Sequence, residues 1–101
     1  MNVTVRGKRW KLVFERIRDG LNSWGFCDAP TTPGKHIRID SRLSGQHRLE
    51  ILLHEILHAA HWDASEELVQ EFAEDAARIL TKLGYTNEST QATDGDCTRD
   101  R

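Results

Sequence analysis

Apolar residues recur at steps of three and four between residues 49 and 60, which is the spacing of one face of an α-helix. They are Leu49, Leu52, Leu53, Ile56, Leu57 and Ala60. Leu, Ala and Glu dominate this segment, and all three favour helical backbone. We therefore predict a first helix over residues 49–60.

A second stretch with helical spacing follows a short break. Ser65 is a good N-cap, Glu66 and Glu67 place negative charge in the first turn, and Gly84 is a typical stop. A second helix is therefore predicted from Ser65 to about Leu83. Its predicted core face consists of Leu68, Val69, Phe72, Ala76, Ile79, Leu80 and Leu83.

The part of the chain before the helices alternates between apolar and polar residues, as half-buried strands do. The pattern predicts strands over residues 3–5, 10–16 and 36–40, with a turn at Gly7. Turn residues stand at 19–20 and 23–25, and residues 28–35 hold both prolines and form a loop. Strands followed by two helices predict a small α+β domain, with the sheet packed on the first helix.

The composition is that of one globular domain. The chain has 101 residues, a hydrophobic content of 38%, a charged content of 30% and a net charge of −2. Residues 1–85 are predicted to form the domain, and the polar residues 86–101 to form a disordered tail. Without a dense basic run, an apolar span or an apolar leader, we expect no nucleic-acid or membrane partner and a cytoplasmic location.

Two cysteines, Cys27 and Cys97, are far apart in the sequence. One such pair is not the disulfide framework of a small secreted domain. We expect Cys27 to be a small buried residue or a turn residue and not a metal ligand, and Cys97 to be a free thiol in the tail.

Residues 54–58 read His-Glu-Ile-Leu-His, an HExxH pattern. Positions i and i+4 of a helix lie one above the other, so His54 and His58 can point at one metal ion. Zinc accepts neutral imidazole nitrogen and keeps an open position for water in catalytic sites. Glu55 is then placed to take a proton from that water. The apolar stripe lies opposite the histidines, which favours a metal site over an ordinary amphipathic helix.

Catalytic zinc sites commonly have three protein ligands, so a third donor is expected. A histidine at the metzincin spacing would fall at Ala64, which excludes that arrangement. Glu66 is the preferred ligand, because it lies in the first turn of the second helix, close to the end of the first. Glu67, Glu71 and His61 are the alternatives.

With these residues the chain resembles the gluzincin branch of the zincin metallopeptidases, and most of all the very small minigluzincin-like domains of phages and bacteria. The resemblance covers about residues 24–85. In several gluzincin groups the second helix reads Glu, three residues, Asp or Asn, one residue, Phe-Ala. Glu66, Gln70, Phe72 and Ala73 fit that frame, with Gln70 in place of the acid or Asn.

The resemblance implies a minimal zincin-like fold, in which a small sheet packs on the HExxH helix and on a second, glutamate-bearing helix. It also implies that the strand at 36–40 forms the sheet edge that lines the cleft. An extended peptide would add to that edge as a further strand.

The expected function is zinc-dependent hydrolysis of peptide bonds in a peptide or protein substrate, with His54, His58 and Glu66 as zinc ligands and Glu55 as general base. His61, Tyr85 and Arg38 are unranked candidates for stabilising the oxyanion. Two other functions stay open. One is a zincin-fold module that binds a peptide or protein with little or no hydrolysis, and the other is a structural protein without metal.

Overall fold

The computed structural model describes residues 1–18 and 23–85. In these ranges the order of elements is β1 (Asn2–Val5), β2 (Lys8–Glu15), β3 (Gly25–Cys27), β4 (His36–Asp40), α1 (Gly45–Ala60) and α2 (Glu66–Lys82). The predicted α+β class is confirmed. The predicted turn at 19–20 and the predicted tail at 86–101, which includes Cys97, lie outside the described residues. Neither α1 nor α2 has the length and hydropathy of a membrane-spanning helix.

The strands form one mixed sheet in the order β1-β2-β4-β3. β1 and β2 are a hairpin, and its turn residues Arg6 and Gly7 both have positive φ, 49° and 81°. Two-residue turns of this kind match the twist of the strands that they join. β4 pairs with β2 in parallel and with β3 in antiparallel orientation. It is therefore an interior strand, and the expectation that residues 36–40 form the sheet edge is wrong.

The edge on that side is β3, which the sequence pattern did not separate from the turn residues at 23–25. β3 has only three residues, and its one large apolar side chain, Phe26, is exposed. Three residues are too short for an alternating pattern to be recognised, so only the pairing with β4 reveals the strand.

One face of the sheet packs on α1. Trp10 and Leu12 of β2 are buried on either side of the exposed Lys11, and Ile37 and Ile39 of β4 are buried on either side of the exposed Arg38. These four residues are buried together with Leu43 and with Ala59 of α1. Successive side chains of a strand point to opposite faces of the sheet. The apolar residues of the alternating pattern thus face α1, and the polar residues face solvent.

Local sequence signals set both ends of α2. The Ser65 hydroxyl accepts a hydrogen bond from the Leu68 amide at 3.1 Å, as an N-cap does. At the other end Gly84 has a φ of 91°, and the Tyr85 amide donates to the Leu80 carbonyl at 2.8 Å. This pattern is a Schellman motif, which satisfies the last carbonyls of a helix. The predicted start and stop of this helix are confirmed.

The predicted core face of α2 is confirmed at Val69 and wrong for most of its large apolar residues. The buried residues of this helix are Val69, Ala73 and Ala77. Most of the large apolar residues predicted to be buried are about half exposed or more: Leu68, Phe72, Ile79 and Leu83. At 100° per residue, the buried face lies roughly 90° from the predicted one. α2 packs against α1 and contacts no strand in the described ranges. Its contact surface therefore needs only a row of small side chains.

Candidate metal centre

The two helices form an antiparallel hairpin. Residues 61–65 connect them, and side chains meet in reverse order along the pair: Gln70 with Glu50, and Glu66 with His54. The first residue of α2 therefore comes back beside the last turns of α1. Glu66 is three, seven and eleven residues before Val69, Ala73 and Ala77, so it shares the face of α2 that packs on α1.

His54, His58 and Glu66 lie together. His54 Nε2 is 2.7 Å from one carboxylate oxygen of Glu66, and His58 Nε2 is 3.3 Å from the other. The two imidazole centroids are 4.8 Å apart. Each of the three residues has one ligand atom, an imidazole nitrogen or a carboxylate oxygen, that lies within 4.8 Å of the ligand atoms of the other two. Two imidazoles and one carboxylate can thus hold a metal ion.

The donor set suits zinc. Tetrahedral zinc binds nitrogen and oxygen at about 2.0–2.1 Å, which sets neighbouring ligand atoms roughly 3.4 Å apart. The 3.3 Å between His58 Nε2 and Glu66 is close to that separation, and the 2.7 Å between His54 Nε2 and Glu66 is shorter, so a bound ion would require a small movement of the Glu66 carboxylate. The histidine side chains are mostly buried, whereas 72% of the Glu66 side chain is exposed. The site is therefore anchored on α1 and open toward solvent at its carboxylate.

The ring nitrogen of His54 that does not contact Glu66 is unpaired within the part of the chain that the structure describes. Nδ1 of His54 is buried and makes no hydrogen bond to the described residues. A metal-binding histidine commonly donates this N–H to a carboxylate, a carbonyl or a water. Gln70 does not serve, because its amide donates to Glu50 at 3.2 Å and to Glu74. Gln70 therefore orients neither histidine.

The other candidates for third ligand lie apart from this cluster. Within the described residues, Glu67, Glu71 and His61 are not members of any group of three potential ligands. His61 is exposed and ends α1, where its amide donates to the Leu57 carbonyl at 2.8 Å. Glu67 follows Glu66 directly, so about 100° of helix rotation turns it away from α1.

Glu55 is the buried carboxylate beside this cluster. Only 8% of Glu55 is exposed to solvent. Burial, and then the negative charge of Glu66, raise the pKa of Glu55 to about 7, although the charge of His54 acts in the opposite direction. A carboxylate with a pKa near neutrality can both accept and return a proton close to pH 7.

A cavity of about 520 Å³ opens at the cluster. It is lined by Gly25, Phe26, Cys27, His54, Glu55, His58, Trp62, Ala64 and Glu66. The sequence analysis did not assign Phe26 or Trp62 to the site, because no motif marks an aromatic residue on a three-residue strand or in a helix connection. The three candidates for stabilising an oxyanion, His61, Tyr85 and Arg38, are not among its lining residues.

β3 forms one wall of this cavity, and its outer edge pairs with no strand among residues 1–18 and 23–85. The Trp24 carbonyl accepts from the Asp40 amide, and the Asp28 amide donates to the His36 carbonyl. Backbone groups alternate in direction along a strand, so those of Gly25 and Cys27 point away from β4. The edge beside Glu55 is thus available to a further extended chain.

Gly25 lets β3 approach α1 closely. A Cβ atom on Gly25 would lie 2.9 Å from Cγ2 of Ile51 and 3.0 Å from Oε2 of Glu55. Such distances leave no room for a methyl group, so glycine is required here by contact rather than by a turn. Cys27, two residues on, also faces α1. Burial, and then the charges of Glu55 and Asp28, raise the pKa of its thiol to about 12. It is therefore a neutral thiol and a poor metal ligand at neutral pH.

Comparison with known proteins adds no assignment to this geometry. No protein-family model, curated protein or solved structure matches the chain. The fold and site define a small α+β domain with a His-His-Glu group that can hold a metal ion.

Proposed function

We propose that this protein is a zinc-dependent peptidase. The observation that carries the proposal is the three-donor group of His54, His58 and Glu66 next to the buried carboxylate of Glu55. A purely structural metal site has no use for a general base. A zinc ion held by these three residues would supply a water with a pKa lowered from 15.7 to about 7 and would polarise a carbonyl group.

Glu55 moves the proton in this reaction. Its carboxylate accepts a proton when the peptide carbonyl is attacked and donates it to the nitrogen of the leaving amine. Burial of the Glu55 carboxylate favours its protonated form, which helps it to take up the proton. Burial beside Gly25 and Ile51 holds the carboxylate in place, so little reorganisation is needed.

The free edge of β3 supports a peptide as substrate. An extended segment can pair with the backbone groups of Gly25 and Cys27, and this pairing does not depend on the substrate's side chains. Phe26 and Trp62 line the same cavity and offer apolar contacts to those side chains. We therefore propose an extended, unstructured stretch of peptide or protein as substrate.

The same edge would also serve a module that binds peptides without cleaving them. The buried Glu55 favours hydrolysis, because its burial carries a desolvation cost that simple peptide binding does not require. Glu55→Gln separates the two functions. This variant is expected to bind zinc like the wild type and to lose at least about 100-fold in hydrolysis of a peptide library followed by mass spectrometry.

Metal content tests the ligand set. Elemental analysis of the wild type is expected to give about one zinc per chain, with strong loss in His54→Ala and in Glu66→Ala. Glu67→Ala is the matched control, since it removes the neighbouring glutamate from the same helical turn and should keep the metal. A wild type that takes up no zinc, or a Glu55→Gln variant with undiminished turnover, would contradict the proposal.

A further inference from the structure

α2 presents an exposed apolar stripe that lies about 100° around the helix from the face that packs on α1. Leu68, Phe72, Ile79 and Leu83 are between 48% and 67% exposed, and Tyr85 at the helix end is 65% exposed. Their spacing of four, seven and four residues keeps the four helical positions on one side of α2. Contiguous apolar surface of this kind marks a contact with another macromolecule.

A row of exposed charges flanks the stripe. The row consists of Glu71, Asp75, Arg78 and Lys82, again at steps of four, three and four. Its first half is acidic and its second half is basic. Asp75 and Arg78 form an ion pair at 2.7 Å within the helix, and the two outer charges, Glu71 and Lys82, are three turns apart.

This order of charges suits a second copy of the same helix in reverse orientation. Reversal about the middle of the row places Glu71 opposite Lys82 and Asp75 opposite Arg78. Phe72 and Ile79, like Leu68 and Leu83, are symmetric about a point one residue earlier, so the same reversal leaves the members of each apolar pair about 3 Å apart along the helix axis, within reach of their side chains. In a parallel copy the two-fold axis would run along the helices, so the two charged rows would lie on opposite sides of the interface and could not pair. One two-fold axis therefore satisfies both the apolar stripe and the charges.

The chain's own C-terminal segment is unsuited to cover the stripe. Residues 86–101 contain no apolar residue except Ala92 and Cys97. We propose that the protein forms an antiparallel homodimer through α2, with the stripe as its apolar core and the charged row along one side.

None of the stripe residues lines the cavity at the metal centre. Dimer formation and zinc binding are therefore separate properties, and a failure of one leaves the other intact.

The test is the molar mass in solution, from light scattering and sedimentation over a concentration series. The wild type is expected to be a dimer. Phe72→Ser, or Leu83→Ser if the first variant is poorly folded, is expected to be a monomer with unchanged circular dichroism and zinc content. A wild type that is monomeric throughout, or a dimer that persists in both variants, would overturn the proposal.

Charge reversal tests the orientation. Glu71→Lys and Lys82→Glu alone are each expected to weaken the dimer roughly tenfold, because each occurs twice across the two-fold axis. The double variant Glu71→Lys/Lys82→Glu should restore the dimer, since both copies then carry the swapped pair. Lys8→Glu on β2 makes the same charge change as Lys82→Glu and should have no effect. A double variant as weak as the single variants would rule out the antiparallel arrangement.

Discussion

Asp40 is a buried charge with one partner close in sequence, Arg42, and one distant partner, the amide of Ile17. Its carboxylate has no exposed surface and accepts from Nε and Nη2 of Arg42 at 2.9 and 2.7 Å. It also accepts from the amides of Arg42 and Ile17. The Arg42 side chain, followed by these amides, holds the pKa of Asp40 well below its usual range, although burial acts in the opposite direction. Through its bond to the Ile17 amide, the Asp40 carboxylate links the end of β4 to the segment that follows β2.

Asp40 should make stability depend on acid pH. Because its pKa is lower in the folded state than the unfolded value of about 3.9, its contribution is present well above pH 4. That contribution is lost as the pH falls from about 4 toward the lowered folded pKa. Urea unfolding of the wild type and of Asp40→Asn between about pH 7 and pH 2 checks this.

Asp40→Asn is expected to have a lower free energy of unfolding than the wild type near neutrality and to lose less of it on acidification. Glu15→Gln is the control, because that carboxylate is half exposed and lies 3.8 Å from Arg38. Two identical acid profiles for the wild type and Asp40→Asn would show that Asp40 is not the group that titrates.

The contact of β3 with α1 depends on the smallest side chain. β3 carries the free edge, α1 carries Glu55, and Gly25 is where the two come together. The turn-like sequence around Gly25 gave no sign of this role, because the nearest atoms belong to Ile51 and Glu55, about 30 residues later in the chain. The requirement for glycine follows from packing between two elements.

Gly25→Ala is expected to push β3 and α1 apart. The added methyl group should cost about 1–3 kcal/mol of unfolding free energy and displace Glu55. The proposed hydrolysis should fall at least about tenfold, since small shifts of reacting groups are costly. Zinc content should stay unchanged, because the methyl group contacts none of the three proposed ligands.

Ile51→Leu in the same background removes the Cγ2 atom that lies 2.9 Å away. It should recover part of the stability but not the activity, because the contact with Glu55 persists. Full activity in Gly25→Ala would contradict the importance of this approach. Urea unfolding and peptide hydrolysis, measured on the same samples, give the answer.

In the described residues α1 is the central element, because both the sheet and α2 pack on it. α2 reaches no strand in the described ranges and is held to α1 by Val69, Ala73 and Ala77. The proposed ligands come from both helices, so a bound metal would join α2 to the rest. Zinc should therefore stabilise the fold as well as serve the reaction.

Zinc in excess is expected to raise the thermal midpoint. A ligand that binds only the native state adds about 2.7 kcal/mol at 100 times its Kd, which corresponds to roughly 10–20 °C for a domain of this size. Calorimetry with and without zinc, and after chelation, measures the effect. Glu66→Ala should lose most of the shift and Glu67→Ala little of it. An equal shift in both variants would place the zinc elsewhere.

Sequence alone determined much of this protein because the deciding signals are local. Helical spacing, the Ser65 cap and the Gly84 stop set the helices, and the four-residue interval of His54 and His58 put both imidazoles on one face of α1. The alternation of apolar and polar residues predicted the positions of β1, β2 and β4. These features depend on residues within a few positions of each other, so they can be read from the chain.

Tertiary structure decided which surfaces meet. The largest apolar residues of α2 predicted one buried face, but the helix packs through small residues that let it approach α1 and that bring Glu66 beside both histidines. β4 is interior because β3 adds to its open side, and β3 is too short to carry a pattern of its own. Contacts between distant segments set these outcomes, and spacing along the chain does not encode them.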